Sequence, residues 1–192
     1  MNQATSSDDE LSQLRRVAAG DRKAFEALYH LYYRRLFAYL WKITRRGEIV
    51  EEVLNDVMLA IWTGAARFDG RSRPSTWIFG IAYHKALKAL ARLQPVAAWP
   101  EPETREEPEP VDADEPESLM NRRELKTTLG KALGALSPEQ RAVVELTYYY
   151  ELPYGEIAEI VGCPVNTVKT RMFHARKRLK QLLPRFGIGA TG

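Results

Sequence analysis

The 192-residue sequence predicts an all-α protein made of two small helical domains joined by a flexible acidic linker. Apolar residues recur at intervals of three and four in both halves of the chain, and no stretch sustains the alternation that a strand needs. Residues 94–118 contain six prolines and nine acidic residues. Because proline removes helix hydrogen bonds and like charges repel, we expect this segment to be extended and mobile.

The first predicted domain spans residues 8–93 and begins with two helices. The first helix starts after Ser7 or Asp8 and stops at Gly20, since glycine readily ends a helix. Asp21 is placed to cap the second helix, because its carboxylate can accept from the free N–H groups of the first turn. Helical spacing of apolar residues then continues to Gly47.

Two further helices complete this domain. The third is expected from about Glu48 to Ala66, and the fourth from about Thr76 to Arg92 with Ser75 as its cap. The side chains expected inside the four helices are Leu11, Leu14, Val17, Phe25, Leu28, Tyr29, Tyr32, Leu36, Tyr39, Leu40, Ile43, Ile49, Val53, Leu54, Val57, Ile61, Trp62, Ile78, Ile81, Ala82 and Leu90.

The second predicted domain spans residues 119–185 and also contains four helices, the first over residues 119–135. Ser137 to Gln140, SPEQ, predicts the start of the next. Serine caps the helix, proline suits its first position, and glutamine three residues after the cap completes a capping box. This helix is expected to extend to about Tyr150.

The last two helices form a predicted helix-turn-helix. Ala158 is small enough for the helices to approach, Gly162 can adopt the left-handed backbone of a sharp turn, and Val168 packs between the helices. Pro164 suits the start of the following helix, because that position lacks a helical N–H partner. Cys163 in the turn is interpreted as a packing residue, with redox sensing as the alternative.

The final helix has two distinct faces. Seven Lys or Arg and no acids occur between Lys169 and Arg185, as in a helix that enters the DNA major groove, although a solvated basic face is the simpler alternative. Phe173 lies on the polar face, where it either contacts a thymine methyl or a sugar or shields a neighbour. The residues expected on the buried face are Val165, Val168, Met172, Ala175, Leu179 and Leu182. Those expected opposite are Asn166, Thr170, Phe173, His174 and Lys177, flanked by Thr167, Lys169 and Arg178.

The charge distribution and the composition limit the kinds of function that this chain can have. The net charge of +3 combines +5 for residues 1–93, −8 for 94–118 and +6 for 119–192. Two basic blocks suggest nucleic acid, although scattered cations also serve to keep a surface solvated. One cysteine excludes an intramolecular disulfide and a cysteine-rich metal site, as expected in a reducing cytoplasm. No long apolar run or secretion signal occurs, so we expect no membrane insertion, and nothing predicts a cofactor.

The segment from Arg67 to Arg92 mixes cations with aromatic residues. This mixture suits single-stranded or opened DNA, because aromatic faces stack on bases while cations hold phosphates. For Trp77 and Phe79, a place in the core is the favoured alternative.

The order of these parts resembles the bacterial sigma factors of the sigma-70 family, in their two-domain extracytoplasmic-function group. The resemblance covers roughly Leu11 to Leu183. It is carried by the segments DRKAFEALYHLYYRRLFAYLW, EEVLNDVMLAIW, FDGRSRPSTWIFGIAYHKALKALAR and LSPEQRAVVELTYYYELPYGEIAEIVGCPVNTVKTRMFHARKRL, in that order. It implies a non-enzymatic factor that binds core RNA polymerase and directs it to promoters.

The resemblance also implies where each partner binds. Three residues match the surface that docks on the β′ clamp helices of polymerase, namely Glu52, Asn55 and Asp56. The positions implied for recognition and opening of the minus-10 element, with a flipped base held by the loop, are Arg67, Asp69, Arg71, Ser72, Arg73, Trp77, Tyr83, His84, Lys85 and Lys88. Those expected at minus-35 DNA, by resemblance or by their place on the exposed face, are Asn166, Thr167, Lys169, Thr170, Arg171, Phe173, His174, Arg176 and Lys177.

Some positions depart from the family pattern. Asn55 and Met58 stand where glutamine and phenylalanine are common, and His174 stands where arginine or lysine is usual, so its charge depends on pH. The remaining departures are Tyr83, His84 and Lys88, where arginine, asparagine and aspartate are frequent. These differences bear on promoter sequence more than on the function itself.

The implied partners are core RNA polymerase through its β′ clamp helices and β flap, promoter DNA with two elements about two helical turns apart, and an anti-sigma factor. The acidic linker is expected to pass toward the RNA exit path, with a plain solvated spacer as the alternative. Two other functions compete: an autonomous repressor or activator, and a divalent-metal nuclease using Glu51, Glu52 and Asp56.

Overall fold

A computed structural model describes residues 3–93 and 127–186, and within these ranges all regular structure is helical. The predicted all-α class is confirmed. The helices are α1 (Gln3–Ala18), α2 (Arg22–Thr44), α3 (Gly47–Gly64), α4 (Pro74–Leu93), α5 (127–134), α6 (Pro138–Tyr148), α7 (Tyr154–Val161) and α8 (Val165–Leu182), with 3-10 turns at Ala65–Arg67 and Leu183–Phe186.

A side-chain cap marks the start of α2, and a left-handed residue marks its end. The Asp21 carboxylate accepts from the backbone N–H groups of Lys23 and Ala24, which confirms the predicted cap. Helical spacing was expected to continue to Gly47, but α2 ends earlier, at Thr44, with Arg45 in the left-handed conformation. Gly47 instead begins α3, where a Cβ atom would lie 2.5 Å from the Trp41 ring. Only glycine leaves room for that ring.

Other helix boundaries also differ from the predictions. α1 begins at Gln3 rather than after Ser7 or Asp8, and α3 ends at Gly64 before a 3-10 turn. α4 begins at Pro74, so Ser75 lies inside the helix instead of capping it. Proline has a fixed φ and no N–H group, and both properties suit the first helical position. These shifts leave every predicted helix of the first domain in place.

The second half begins with α5, of which 127–134 is described; the predicted part from 119 to 126 and the predicted linker at 94–118 lie outside the described residues. The capping box before α6 is confirmed. The Ser137 hydroxyl accepts from the Gln140 N–H, and the Gln140 side chain accepts from the Ser137 N–H. α6 ends at Tyr148, slightly before the predicted Tyr150.

The buried residues form one continuous apolar core that extends through both halves. α2 and α4 pack against each other and against α3, and they also contact α6 and α7 of the second half. The two halves are therefore in direct contact. Most of the predicted core residues are buried, but Val165 is 38% exposed, which corrects its predicted place on the buried face of α8. Val165 is the first residue of α8, so its side chain lies before the first buried residue on the apolar face of that helix.

A stability prediction follows from Glu151, whose φ of 52° lies in the left-handed region that favours glycine. Replacing Glu151 by Gly should raise the free energy of unfolding by about 1 kcal/mol, because a side chain in this conformation costs about that much. Thermal or urea unfolding measures the change. The control is Glu159→Gly in the exposed interior of α7, which should lose about 1 kcal/mol. Loss of stability in both variants would contradict strain at Glu151.

Candidate DNA-binding and polymerase-binding surfaces

The helix-turn-helix is formed by α7, a short turn and α8. Ala158 and Val168 are buried where the two helices meet, and Gly162 has the left-handed φ of 64° that the turn was predicted to require. Pro164 directly precedes α8 and has the extended backbone of a capping position. Cys163 is half-buried and packs against the apolar core, as its interpretation as a packing residue requires.

The outward face of α8 presents most of the residues predicted for minus-35 DNA. Phe173 is 63% exposed, and its ring contacts only the edge of the neighbouring His174 ring among the aromatic contacts of the described residues. The Thr170 hydroxyl donates to the backbone carbonyl of Asn166. The exposed members of the set are Asn166, Lys169, Thr170, Phe173, His174, Arg176 and Lys177. This row combines hydrogen-bonding groups, an apolar phenyl ring and cations, as a helix in the major groove requires.

Thr167 and Arg171 differ from the rest of the predicted minus-35 set because they are partly buried. The Arg171 guanidinium donates to the Tyr83 hydroxyl on α4 at 3.4 Å. Tyr83 is only 2% exposed, although it was predicted to act at minus-10 DNA. Burial raises the pKa of the Tyr83 hydroxyl, and the Arg171 charge partly opposes that shift. In this arrangement a predicted minus-10 residue and a predicted minus-35 residue bind each other.

Tyr148, at the end of α6, is a residue that the sequence reasoning missed. The Arg176 guanidinium donates to its hydroxyl at 3.0 Å and also lies 5.7 Å from its ring centre. Tyr148 is 59% exposed, so this contact lies on the surface beside α8. The run of three tyrosines at 148–150 was an available signal, but sequence alone does not say which ring is near Arg176.

Tyr148→Phe should weaken binding of a minus-35 duplex about twofold to fivefold, because a single exposed hydrogen bond contributes about 0.5–1 kcal/mol. Fluorescence anisotropy with a labelled duplex at low salt measures the effect. Tyr149→Phe is the matched control, since Tyr149 is equally exposed and its ring faces Lys42 instead. Equal loss in the two variants would show that the hydroxyl of Tyr148 does not position Arg176.

The predicted minus-10 loop, from residue 67 to 74, is compact. Gly70 has a left-handed φ of 74°, and Asp69 accepts from the backbone N–H of Arg71 while its carboxylate lies 3.1 Å from that guanidinium. Arg73 leaves the loop toward the second half, where it pairs with Glu156 at 3.2 Å. The cations Arg67 and Arg71 remain exposed, and Ser72 is half-buried.

Helix α4 carries the remaining predicted minus-10 residues. Trp77 is half-buried, with its ring 5.4 Å from that of Phe68, whereas Phe79 is buried in the core, as the favoured alternative predicted for it. His84 and Lys88 are exposed. The loop and α4 therefore present cations around one accessible indole, without the exposed row of aromatic side chains that the segment suggested.

The outward face of α3 contains the three residues predicted to bind polymerase. Glu52, Asn55 and Asp56 are all exposed on successive turns. Glu52 pairs with Arg92 at 3.1 Å, and Asp56 pairs with Lys85 at 3.4 Å. Lys85, predicted to act at minus-10 DNA, is thus held beside the acidic face. We refer to Glu52, Asn55, Asp56 and the neighbouring Leu59 as the α3 face.

Leu59 is the second residue that the sequence reasoning missed. It is 60% exposed, one turn beyond Asn55 and Asp56 on the same side of α3. Single exposed leucines are common on protein surfaces, so Leu59 is of interest only because it lies beside the polar residues that were predicted to bind polymerase. Its spacing from Asp56 in the sequence places Leu59 on the same face of the helix. The apolar residues on both sides of it made it look like a core residue instead.

The carboxylates considered for a nuclease bind side chains of the protein itself. Glu51 accepts from the Tyr33 hydroxyl at 3.1 Å, in addition to the pairs of Glu52 and Asp56. Over residues 3–93 and 127–186, no three acidic, histidine or cysteine side chains come together as metal ligands would. None of the helices in these ranges is both long and apolar enough to span a membrane.

An exposed basic recognition helix in a helix-turn-helix, joined to a second helical unit with a cationic loop, is typical of a DNA-binding protein. Residues 28–95 match the family profile of sigma-70 region 2, and residues 126–179 match that of sigma-70 region 4. The chain belongs to the sigma-70 family of RNA polymerase sigma factors, in its extracytoplasmic-function group. Its function is promoter-directed initiation of transcription with RNA polymerase, and its family consists of initiation factors that are not catalysts.

Individual relatives agree with this assignment. The RNA polymerase sigma factor YlaC of Bacillus subtilis is 31% identical over 160 residues, which cover 83% of this chain and 92% of the relative. The ECF RNA polymerase sigma factor RpoE of Cereibacter sphaeroides is 32% identical over 165 residues, covering 84% and 87%.

Two solved structures share the fold. CnrH in complex with the cytosolic domain of CnrY aligns with a TM-score of 0.67 at 23% identity, covering 93% of this chain and 99% of the other. The sigma factor RpoE in complex with the anti-sigma factor NepR from Bartonella quintana aligns with a TM-score of 0.62 at 22% identity, covering 84% and 98%.

Proposed function

We propose that the tasks of a sigma factor are divided between the two halves of this chain. Residues 8–93 bind core polymerase and act on the minus-10 element, residues 94–118 are a linker, and residues 119–185 bind the minus-35 element. The exposed row along α8, from Asn166 to Lys177, is the observation that carries this proposal. Seven residues of the predicted minus-35 set lie on that row, free to meet a DNA groove.

The roles within α8 follow from position. Asn166, Lys169 and Thr170 lie in the first two turns, the part of a recognition helix that meets base edges. Arg176 and Lys177 lie farther along and are placed to hold phosphates, while Phe173 presents an apolar ring between the two groups. Phosphate contacts of this kind make binding sensitive to salt.

The minus-10 role rests on the loop from residue 67 to 74 and on α4. Exposed cations at Arg67, Arg71 and Lys88 are positioned to hold the backbone of an opened strand, and Trp77 offers a partly accessible ring for a base. Tyr83 is a candidate for the same role only after it separates from Arg171.

The α3 face is the proposed polymerase-binding surface. Its acidic residues suit a basic partner, and Leu59 adds an apolar centre that salt does not screen. The β′ clamp helices are the proposed partner here, and the β flap is the proposed partner of the second half. We further propose regulation by an anti-sigma factor, which one structural neighbour binds, a cytoplasmic bacterial location, and no catalytic activity of the chain itself.

The test is transcription from a library of genomic fragments by purified core polymerase, with and without this chain, followed by sequencing of the transcript starts. The expected result is a set of new start sites with shared elements near minus-35 and minus-10, present only when both proteins are added. The free chain alone should bind duplex DNA weakly. Tight, sequence-specific duplex binding in the absence of polymerase would instead support an autonomous repressor or activator.

A further inference from the structure

His174 is the member of the exposed row of α8 to which the proposed division of roles assigns nothing. Its side chain is exposed, one turn after Thr170 and one turn before Lys177. Its ring meets the ring of Phe173 edge to face, with the two centroids 5.5 Å apart. Over the described residues, no hydrogen bond or ion pair joins the imidazole to another side chain. Both ring nitrogens are therefore available to a ligand that approaches α8.

The charged neighbours of His174 on its own helix are all cations. Residues three and four positions apart are neighbours on a helix surface, and around His174 the charged ones are Arg171, Lys177 and Arg178. No acidic residue occurs in α8. The helix therefore offers no negative charge that would hold a proton on the imidazole.

The helices packed against α8 direct their ionisable groups elsewhere. On α4, the Tyr83 hydroxyl faces Arg171, and on α6 the Tyr148 hydroxyl faces Arg176. The ionisable side chains of α6 and α7, together with that of the turn before α8, are Glu139, Arg141, Glu145, Tyr148, Tyr154, Glu156, Glu159 and Cys163. Within the described part of the chain, none of these forms a hydrogen bond or an ion pair with His174.

A DNA duplex against α8 supplies the negative charge that the protein lacks at this position. Phosphodiesters stay charged over the range of about pH 5 to 8 in which histidine gains and loses its proton. A phosphate beside the imidazole favours the charged form of the ring, and the charged ring donates the stronger hydrogen bond to the phosphate oxygen. Binding of the proton and binding of the DNA therefore strengthen each other.

We propose that His174 is a phosphate contact of the minus-35 surface that takes up a proton from solvent when DNA binds. This inference rests on the proposed minus-35 role of α8. Because the proton binds together with the DNA, affinity rises as the pH falls, by at most about tenfold per pH unit for one proton. Arginine at this position would make the same contact without proton exchange, since its guanidinium stays charged.

The first measurement is the affinity of the full chain for a rhodamine-labelled duplex between about pH 6 and pH 8, at constant ionic strength. The duplex carries the upstream element shared by the mapped transcript starts. The unmodified chain should bind about tenfold to 100-fold more tightly at the lower pH, because a hydrogen bond to a charged group contributes about that factor. His174→Gln should bind weakly at every pH, and His174→Arg tightly at every pH. Gln and Arg are good helix formers, and circular dichroism at both pH values checks the fold.

The other two histidines of the chain, His30 and His84, provide the comparisons. His30 is exposed on α2 beside Glu26, outside the predicted binding surfaces, so His30→Gln should keep the full pH dependence. His84 is the competing source, because its ring lies 3.3 Å from where a Cβ atom of Gly162 would be, next to the turn before α8. A pH dependence that disappears in His84→Gln but persists in His174→Gln would overturn the assignment.

The second measurement separates a proton-linked phosphate contact from a merely structural effect of the substitution. Calorimetric titration near pH 7, in two buffers of different ionisation enthalpy, should show net proton uptake by the unmodified chain and none by His174→Gln or His174→Arg. The dependence of log affinity on log salt should also be steeper at pH 6 than at pH 8, by about 0.9 for one additional phosphate contact, and only when His174 is present.

The possible outcomes distinguish this inference from the function on which it rests. If the unmodified chain prefers the duplex over a scrambled one but binds equally at both pH values without proton uptake, the proton-linked contact is wrong and the minus-35 role stands. If the chain shows no preference for the duplex at either pH, the minus-35 role is rejected, and the contact at His174 is rejected with it.

Discussion

Reversing two charges on the α3 face, Glu52→Lys with Asp56→Lys, should lower affinity for core polymerase roughly 100-fold or more, because like charges at an interface cost several kcal/mol and each ~1.4 kcal/mol is a factor of ten. Both carboxylates are exposed, so the change should leave the fold intact. Competition with a labelled reference sigma factor for core polymerase measures the affinity.

The control for this prediction reverses two exposed acids outside the α3 face, Glu26→Lys with Glu159→Lys. It changes the net charge of the chain by the same amount, so it separates a local surface from a general electrostatic effect. Minus-35 duplex binding should be retained in the Glu52/Asp56 variant. If the control loses polymerase affinity equally, the α3 face is not the docking surface. A Leu59→Ser chain tests the apolar centre of the same face and should lose affinity by a smaller factor.

Removing two cations from α8, Lys169→Ala with Arg176→Ala, should weaken minus-35 duplex binding by roughly 30-fold to 1000-fold, since each such interaction is worth about 1–2 kcal/mol. The dependence of the binding constant on salt should also become shallower, by about one unit for each phosphate that the variant no longer binds. Anisotropy titrations at several salt concentrations measure both quantities. Affinity for core polymerase should not change, because neither residue lies near the α3 face.

Lys23→Ala with Lys131→Ala is the matched control, because both lysines are exposed, lie outside the predicted DNA surfaces and carry the same total charge. Its duplex binding should fall only slightly. Parallel loss of polymerase and duplex binding in the Lys169/Arg176 variant would argue against separate surfaces for the two partners. If the salt dependence became shallower by the same amount in both variants, DNA binding would depend on the net charge of the chain rather than on the cations of α8.

The contacts between the two halves affect how these experiments should be interpreted. Arg73 and Arg171 each contribute to these contacts as well as to a predicted DNA surface. Substituting either residue would remove a contact between the two halves and weaken DNA binding at the same time, so the measured change would combine two effects. Lys169 and Arg176 avoid this problem, because neither has a contact with the first half among the described residues. They are therefore the better positions for testing minus-35 binding.

Much of the local structure could be predicted from the sequence because its causes are local. The carboxylate of Asp21, the SPEQ box before α6 and the left-handed glycine at 162 act within a few residues of their own positions. One boundary was set by side-chain packing instead. Helical spacing was expected to continue to Gly47, but α2 ends at Thr44 and Gly47 begins α3, where a Cβ atom would collide with the Trp41 ring.

The sequence by itself determined the all-α class, the helix-turn-helix and the exposed row of α8, because helical periodicity and capping are properties of neighbouring residues. The family was indicated separately, by the resemblance of four segments in the same order. Only the tertiary structure decided that Tyr83 is buried against Arg171, that Tyr148 holds Arg176, and that the two halves share one core. The two hydrogen bonds join residues 88 and 28 positions apart in the chain. Periodicity states which face of a helix is apolar, but the three-dimensional packing alone determines which other helix covers that face.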